Sequence, residues 1–326
     1  MSQENESGGQ GREDRGRKRR VWPWLAALGG FVVLVGSLGL CVLAAFYGLS
    51  ARQTSVSWGG DAVGLLRIEG GIGMVTGSAD GVNSEVVLDQ IQQAEENDRV
   101  KALVVYVNSP GGAVVPSDEI YRALHEATKP VVAVMGDVAA SGGYYIACGA
   151  DTIYAHPATI TGSIGVYGRL LNAAELLEKL GVEGIIVRSG DAKATGNLFE
   201  RPTAEQLAIE QAIVDELYEL FVQVVAEGRE MDPDVVRELA DGRPYTGRQA
   251  LELGLIDEFG GLGDAIHEAA RLGQIEGEPE VIEYQRPATL LDLWAGIRQP
   301  PMWDSQALLT WLDTQVSVPQ MRYVGP

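Results

Sequence analysis

Residues 131–150 read VVAVMGDVAASGGYYIACGA, an apolar strand that turns sharply into an apolar helix with Ser141 at the turn. Val131 to Met135 is short, β-branched and continuous, the pattern of a strand buried on both faces, and the small and aromatic residues after Ser141 read as a buried helix. A serine at such a junction sits at a helix N-terminus. Unpaired backbone N–H groups and the positive end of the helix dipole there favour a developing negative charge, and Gly142 and Gly143 leave room for a substrate carbonyl. That is the setting of an acyl-transfer nucleophile. Taken by itself, the stretch favours the plainer reading, a serine N-cap followed by glycines that allow close packing.

Working outward, strand-like and helix-like patterns alternate, which predicts an α/β domain. Ala62 to Ile68 reads as a strand. Ser84 to Glu95 reads as a helix with Val86, Val87, Ile91 and Ala94 on one face, and Ala102 to Val107 as a second buried strand. That strand runs into Asn108-Ser109-Pro110-Gly111-Gly112, a glycine turn before a helix near Ser117. Two adjacent glycines let backbone N–H groups approach a substrate oxygen, although a plain two-glycine loop has the same sequence. After the Ser141 helix come a short strand at Thr152–Tyr154, the run Thr161-Gly162-Ser163-Ile164-Gly165-Val166, a helix near Ala173–Leu180, a strand at Gly184–Val187 and a loop Ser189–Lys193. Gly71 to Gly77 superficially suggests a dinucleotide loop, but Thr76 stands where its third glycine belongs.

The chain has 326 residues and a formal charge of −20, which argues against a nucleic-acid partner because phosphate binding needs clustered Lys and Arg. Residues 1–20 are polar, basic and without apolar periodicity, so they read as a disordered tail. No charge interrupts Leu25 to Leu49, with Trp22 and Trp24 at one end of that run and Tyr47 at the other. Residues 21–50 are therefore expected to cross a lipid bilayer once, with the basic N-terminus inside. The rest then lies on the periplasmic or extracellular side of a bacterial cytoplasmic membrane. A cleaved signal peptide is the rival reading; the length of the apolar run favours an uncleaved anchor. Residues 51–61 read as a linker, 62–275 as the main domain and 276–326 as an extension carrying Trp294, Trp303 and Trp311. With Cys41 in the anchor and Cys148 in a buried helix, an intrachain disulfide is geometrically implausible.

The five lysines are easy to compare. Lys18 belongs to the basic tail, Lys101 opens a strand, Lys129 precedes a proline and Lys179 lies on a helix's polar side. Lys193 alone sits in a glycine loop, where catalytic groups tend to be placed and where an exposed lysine also needs no function. His125, His156 and His267 do not adjoin a serine motif, so a histidine base has little support.

Five motifs now stand in order: Asn108–Gly112, Ala140–Tyr145, Thr161–Val166, Ser189–Lys193 and Asp241–Gly247. In that order they resemble the signal peptide peptidase A family of serine peptidases, over Ala62 to Leu272. The resemblance implies a Clp protease and crotonase type of fold built from stacked ββα units. It implies a Ser-Lys dyad in which Ser141 is the nucleophile and Lys193 the general base. Gly112 and Gly142 would donate the oxyanion-hole N–H groups, and Ser163 would hold the lysine amine. The family often has Asp after the lysine; Ala194 stands here. No metal or cofactor is implied. Remnant signal peptides and other apolar peptides are the implied substrates.

A lysine can take the serine proton only when neutral, so the dyad requires desolvation that lowers its pKa from about 10.4. Members of the family with two fused repeats take the serine and the lysine from different repeats. One copy of each motif therefore predicts a homo-oligomeric ring with sites shared between protomers. Thr203 and Gln206 predict a capping box opening a long helix whose stripe of Leu207, Ile213, Leu217, Leu220, Phe221 and Val224 is core or a subunit contact. A crotonase-like thioester enzyme and a non-catalytic membrane scaffold remain the alternatives. Neither has a use for both Ser141 and the lysine loop.

Overall fold

The computed structural model describes residues 60–73 and 81–285, together with the backbone of 320–322. The tail, the expected transmembrane anchor at 21–50 and the tryptophan-bearing part of the extension lie outside the described residues. Among those described, no helix is long and apolar enough to cross a membrane.

The chain opens with β1 (Ala62–Glu69), β2 (Gly71–Ile72) and β3 (Gly81–Val82), followed by α1 (Ser84–Glu96), β4 (Val100–Ser109), β5 (Gly111–Ala113) and α2 (Val114–His125). Then come β6 (Val131–Ala140), α3 (Gly142–Ala147), β7 (Thr152–Ala155), β8 (Ile160–Gly162), α4 (Ala174–Lys179), a 3₁₀ turn Asp191–Ala194 and the long α5 (Ala204–Gly228). The domain continues with α6 (Pro233–Leu239), β9 (Pro244–Thr246), α7 (Gly247–Glu252), β10 (Glu258–Phe259), α8 (Leu262–Leu272) and β11 (Glu280–Tyr284); β12 (Gln320–Arg322) lies beyond it in sequence.

The main sheet runs β10-β7-β6-β4-β1-β11, all parallel, with β8 added to the far end of β6 and β9 antiparallel to β8. Burial on both faces explains its continuous apolar runs. Leu66, Ile68, Leu103, Val105, Ala133 and Met135 face a layer that includes Ile91, Ile120, Tyr145 and Phe221, whereas Val63, Leu65, Val104 and Val134 face α8 through Ala265 and Ala269. The strand β11 adds an edge to this sheet from a segment that the sequence assigns to the extension.

Two differences from the sequence expectations bear on function. β6 continues past Met135 to Ala140 through an irregularity: Val107 pairs with Met135, and the next matched pair is Ser109 with Ala139. The Asn108 side chain fills the break by accepting from the Val138 N–H at 3.2 Å. The other difference is Gly184–Val187, which is not a strand; Ile185 is 83% and Val187 94% exposed. Alternating apolar residues specify a face to bury but supply no backbone partner, and no strand of the described residues pairs with this one.

Candidate active site

The end of β6 and the end of β8 bring the serine motif and the Thr161–Val166 motif together, with Ala140 opposite Gly162 in parallel register. Ser141 follows directly and donates its backbone N–H to Gly162 O at 2.7 Å. The chain then bends so sharply into α3 that Ser141 takes φ 54°, ψ −119°, a conformation that costs a non-glycine residue about 1–3 kcal/mol. Ser141 is fully buried and its side chain makes no capping bond to α3. Among the described residues its Oγ has no hydrogen-bond partner at all. The plain N-cap reading thereby loses the bond that defines it, and a buried hydroxyl left unpaired costs about 1–3 kcal/mol more.

The glycine turn after β4 meets the same point. Gly111 has φ +99°, open to glycine at no steric cost. A Cβ on Gly112 would lie 1.9 Å from Ile72 O, so glycine is what lets β5 pair this closely with β2. A Cβ on Gly142 would lie 3.2 Å from the Gly112 amide nitrogen and 2.6 Å from Ser117 Oγ. Gly112 and Gly142, the two expected oxyanion donors, are therefore neighbours in space although thirty residues apart in sequence. The Gly142 N–H heads α3, where first-turn amides have no partner within the helix.

Ser163 follows Gly162, the residue bonded to Ser141, with φ 50°; its N–H goes to Arg243 O at 3.0 Å and its hydroxyl donates to Gly242 O at 3.2 Å. Both carbonyls belong to the Asp241–Gly247 motif, so this last motif supports the third. Cys148, just past the C-terminal end of α3, is also buried, and burial pushes its thiol up to about 12, away from the reactive thiolate.

The structure does not bring Lys193 to Ser141 within one chain. The lysine is exposed on the 3₁₀ turn, and Ser141 Oγ receives no bond from it. The desolvation that the sequence reading requires is absent here. The turn itself is well held: Arg188 bonds Glu200 at 2.5 Å, and the buried Gln206 donates to Asp191 O at 2.5 Å while its own Oε1 accepts the Thr203 N–H at 2.9 Å. The capping box predicted from Thr203 and Gln206 is thus present, with a tie to the lysine loop that the sequence did not reveal. Around this loop Leu171, Leu176, Leu180, Val182, Ile185, Val187 and Phe199 are exposed, and so are Leu207 and Ile213 on the first half of α5. Only the second half of the predicted α5 stripe, including Phe221 and Val224, is core.

Ser109, at the end of β4, and Ser117, in α2, are both fully buried, and the sequence signal for each is a small polar residue at a core position of an apolar element. Finally, β12 pairs antiparallel with β5, placing Met321 opposite Gly112 and Arg322 opposite Gly111. The edge of β5 beside the expected oxyanion hole accepts an extended chain.

Comparison with known proteins gives two family matches that overlap across Ser141: residues 123–276 match peptidase family S49 and residues 61–160 match Clp protease. The second accords with the Clp protease-like α/β fold. A Synechocystis sp. protein named as a protease is 43% identical over 211 residues, covering 64% of this chain and 75% of that protein. An Enterococcus faecium protein named as a signal peptide peptidase is 40% identical, covering 67% of this chain and 64% of that one. A chloroplastic serine protease of Arabidopsis thaliana is 35% identical over 82% of this chain, which spans 41% of its length.

Proposed function

Because the chain belongs to peptidase family S49, we propose that it is a membrane-anchored serine endopeptidase in which Ser141 attacks the scissile carbonyl and Lys193 of a second copy is the base. The observation that carries this reading is Ser141 itself: a buried, strained serine whose hydroxyl has no partner among the described residues and which is followed by Gly142, itself packed against the Gly112 amide. Strain and an unpaired hydroxyl are kept in a core only where something else uses them.

In the first step the neutral Lys193 amine removes the Ser141 proton as Oγ bonds to the carbonyl carbon. The resulting oxyanion is stabilised by the Gly112 and Gly142 N–H groups. The lysine then protonates the leaving amine as the C–N bond breaks. A water, deprotonated by the same amine, hydrolyses the acyl-serine and restores both residues. Ser163 adjoins Ser141 through the Gly162 link, where its hydroxyl holds the incoming lysine amine.

Delivery from a second copy is supported by two facts: Lys193 is exposed within one chain, and the arm that carries it is edged by apolar side chains left open to solvent. Seating that arm on a neighbour buries those side chains and desolvates the lysine together, and a closed ring satisfies every such pair. The peptide binds along β5, as β12 already does in this chain. Residues 21–50 anchor the enzyme in the bacterial cytoplasmic membrane with the peptidase domain outside, where apolar peptides such as remnant signal peptides are the substrates. The test is labelling by a fluorophosphonate probe: it is expected on the wild type and lost in Ser141→Ala. Undiminished labelling of Ser141→Ala assigns the nucleophile elsewhere.

A further inference from the structure

We propose that Ser109 is a positioning residue for the oxyanion hole, acting through the glycine turn that aims the Gly112 amide; the inference rests on the reading of Gly112 as an oxyanion donor. Ser109 is fully buried at the end of β4. Its hydroxyl donates to Gly70 O at 2.6 Å and accepts from Gly111 N–H at 3.1 Å. Gly70 in turn gives its own N–H to Asn108 O at 3.0 Å, so the turn after β1 is clamped to the end of β4 through both the N–H and the C=O of Gly70.

The placement matters because Pro110 offers no N–H, leaving the Gly111 amide as the first donor of the turn. With that amide committed to Ser109, the Gly111 backbone is held at φ +99°, and the next amide, that of Gly112, is set in direction by the same clamp. The carbonyl of Ser109 reaches the other side of the site: a Cβ on Gly143 would stand 2.8 Å from it. One residue therefore fixes the Gly112 strand through its hydroxyl and abuts the backbone after Ser141 through its carbonyl. Oxyanion donors act only when preorganised, and an error of about 1 Å in such a site costs on the order of 100-fold in rate.

The experiment compares wild type, Ser109→Ala and Ser109→Cys in the full-length protein, the thiol retaining a weak donor and acceptor in similar volume. For each variant kcat and KM are measured on a short apolar peptide, with the affinity for the matching peptide aldehyde, whose hemiacetal adduct on a serine places an oxygen in the oxyanion hole. The expected result is a fall of roughly 10- to 100-fold in kcat for Ser109→Ala, a smaller one for Ser109→Cys, KM within twofold, and aldehyde affinity falling by the same factor as kcat. A folded Ser109→Ala with kcat within twofold of wild type overturns the proposal. So does a loss of kcat with aldehyde affinity unchanged, since the hydroxyl then acts elsewhere. If Ser109→Ala does not fold, Ser109→Cys decides by the same two measurements. Failure of the underlying reading shows separately, as a wild-type protein that forms no aldehyde adduct on Ser141.

Discussion

Replacing Gly112 by alanine tests the oxyanion assignment with a perturbation whose size can be read from the backbone. The new Cβ would stand 1.9 Å from Ile72 O, 2.6 Å from Ile72 N and 2.7 Å from Ile72 C, whereas ordinary contact begins near 3.4 Å. All three are main-chain atoms, so no side-chain rotation relieves the overlap, and β5 must move away from β2 by about 1.5 Å. The fold should survive. β2 has two residues and pairs with β5 only at Ile72 and Gly112, so overpacking there is expected to cost about 1–3 kcal/mol, each kcal/mol lowering Tm by about 2–4 °C. Catalysis should not survive so well. The same displacement carries the Gly112 N–H away from the oxyanion, and loss of one such donor costs about 10²–10³ in kcat, or about 2.7–4 kcal/mol. Steady-state hydrolysis of a peptide substrate, with a melting curve alongside, measures both quantities. A folded Gly112→Ala protein with kcat within threefold of wild type would refute the assignment.

Other outcomes follow from the same account. Lys193→Arg should be inactive, because a guanidinium stays protonated and cannot accept the Ser141 proton, and a folded Lys193→Arg that turns over like wild type contradicts a lysine base. Ile185→Asp with Val187→Asp, at side chains 83% and 94% exposed in one chain, should leave the domain folded, shift the oligomer toward monomer in sedimentation and lower activity at least tenfold. An intact, fully active oligomer would place these residues outside the contact. Met321→Pro with Arg322→Pro removes the N–H groups of two successive residues, so whichever faces β5 is lost. KM for a short peptide should then fall several-fold at constant kcat, and an unchanged KM means that β12 does not compete for that edge.

The sequence reveals which residues bury their side chains more readily than what their backbones pair with. Leu65, Val104 and Val132 were legible as strand interiors because a doubly covered parallel sheet writes itself as unbroken apolar runs. Thr203 and Gln206 were legible because a capping box is local chemistry. Gly184–Val187 misled for the converse reason: its alternation is that of a strand, but no described strand hydrogen-bonds to it. The β6 irregularity at Gly136–Val138 was illegible, since it depends on Tyr106 and Asn108 crowding Gly136 from a strand some thirty residues earlier. In the site, Gly112 and Gly142 were recognisable as glycines in motifs, yet their proximity is a tertiary fact. Ser109 lay in plain view inside a motif, and its two backbone bonds appear only when the turns after β1 and β4 are set side by side.

The central claim, a catalytic site assembled from two copies of one chain, is tested most directly by mixing two dead proteins. Ser141→Ala retains every Lys193, and Lys193→Ala retains every Ser141; neither alone should hydrolyse peptide. Combined under conditions where subunit exchange is demonstrated with labelled protein, a mixed ring contains interfaces at which an intact Ser141 meets an intact Lys193. For equal amounts and random placement, about one quarter of the interfaces are of this kind, and the account predicts recovery of about that fraction of wild-type activity. Proven exchange without recovered activity would contradict it, placing serine and base within a single chain.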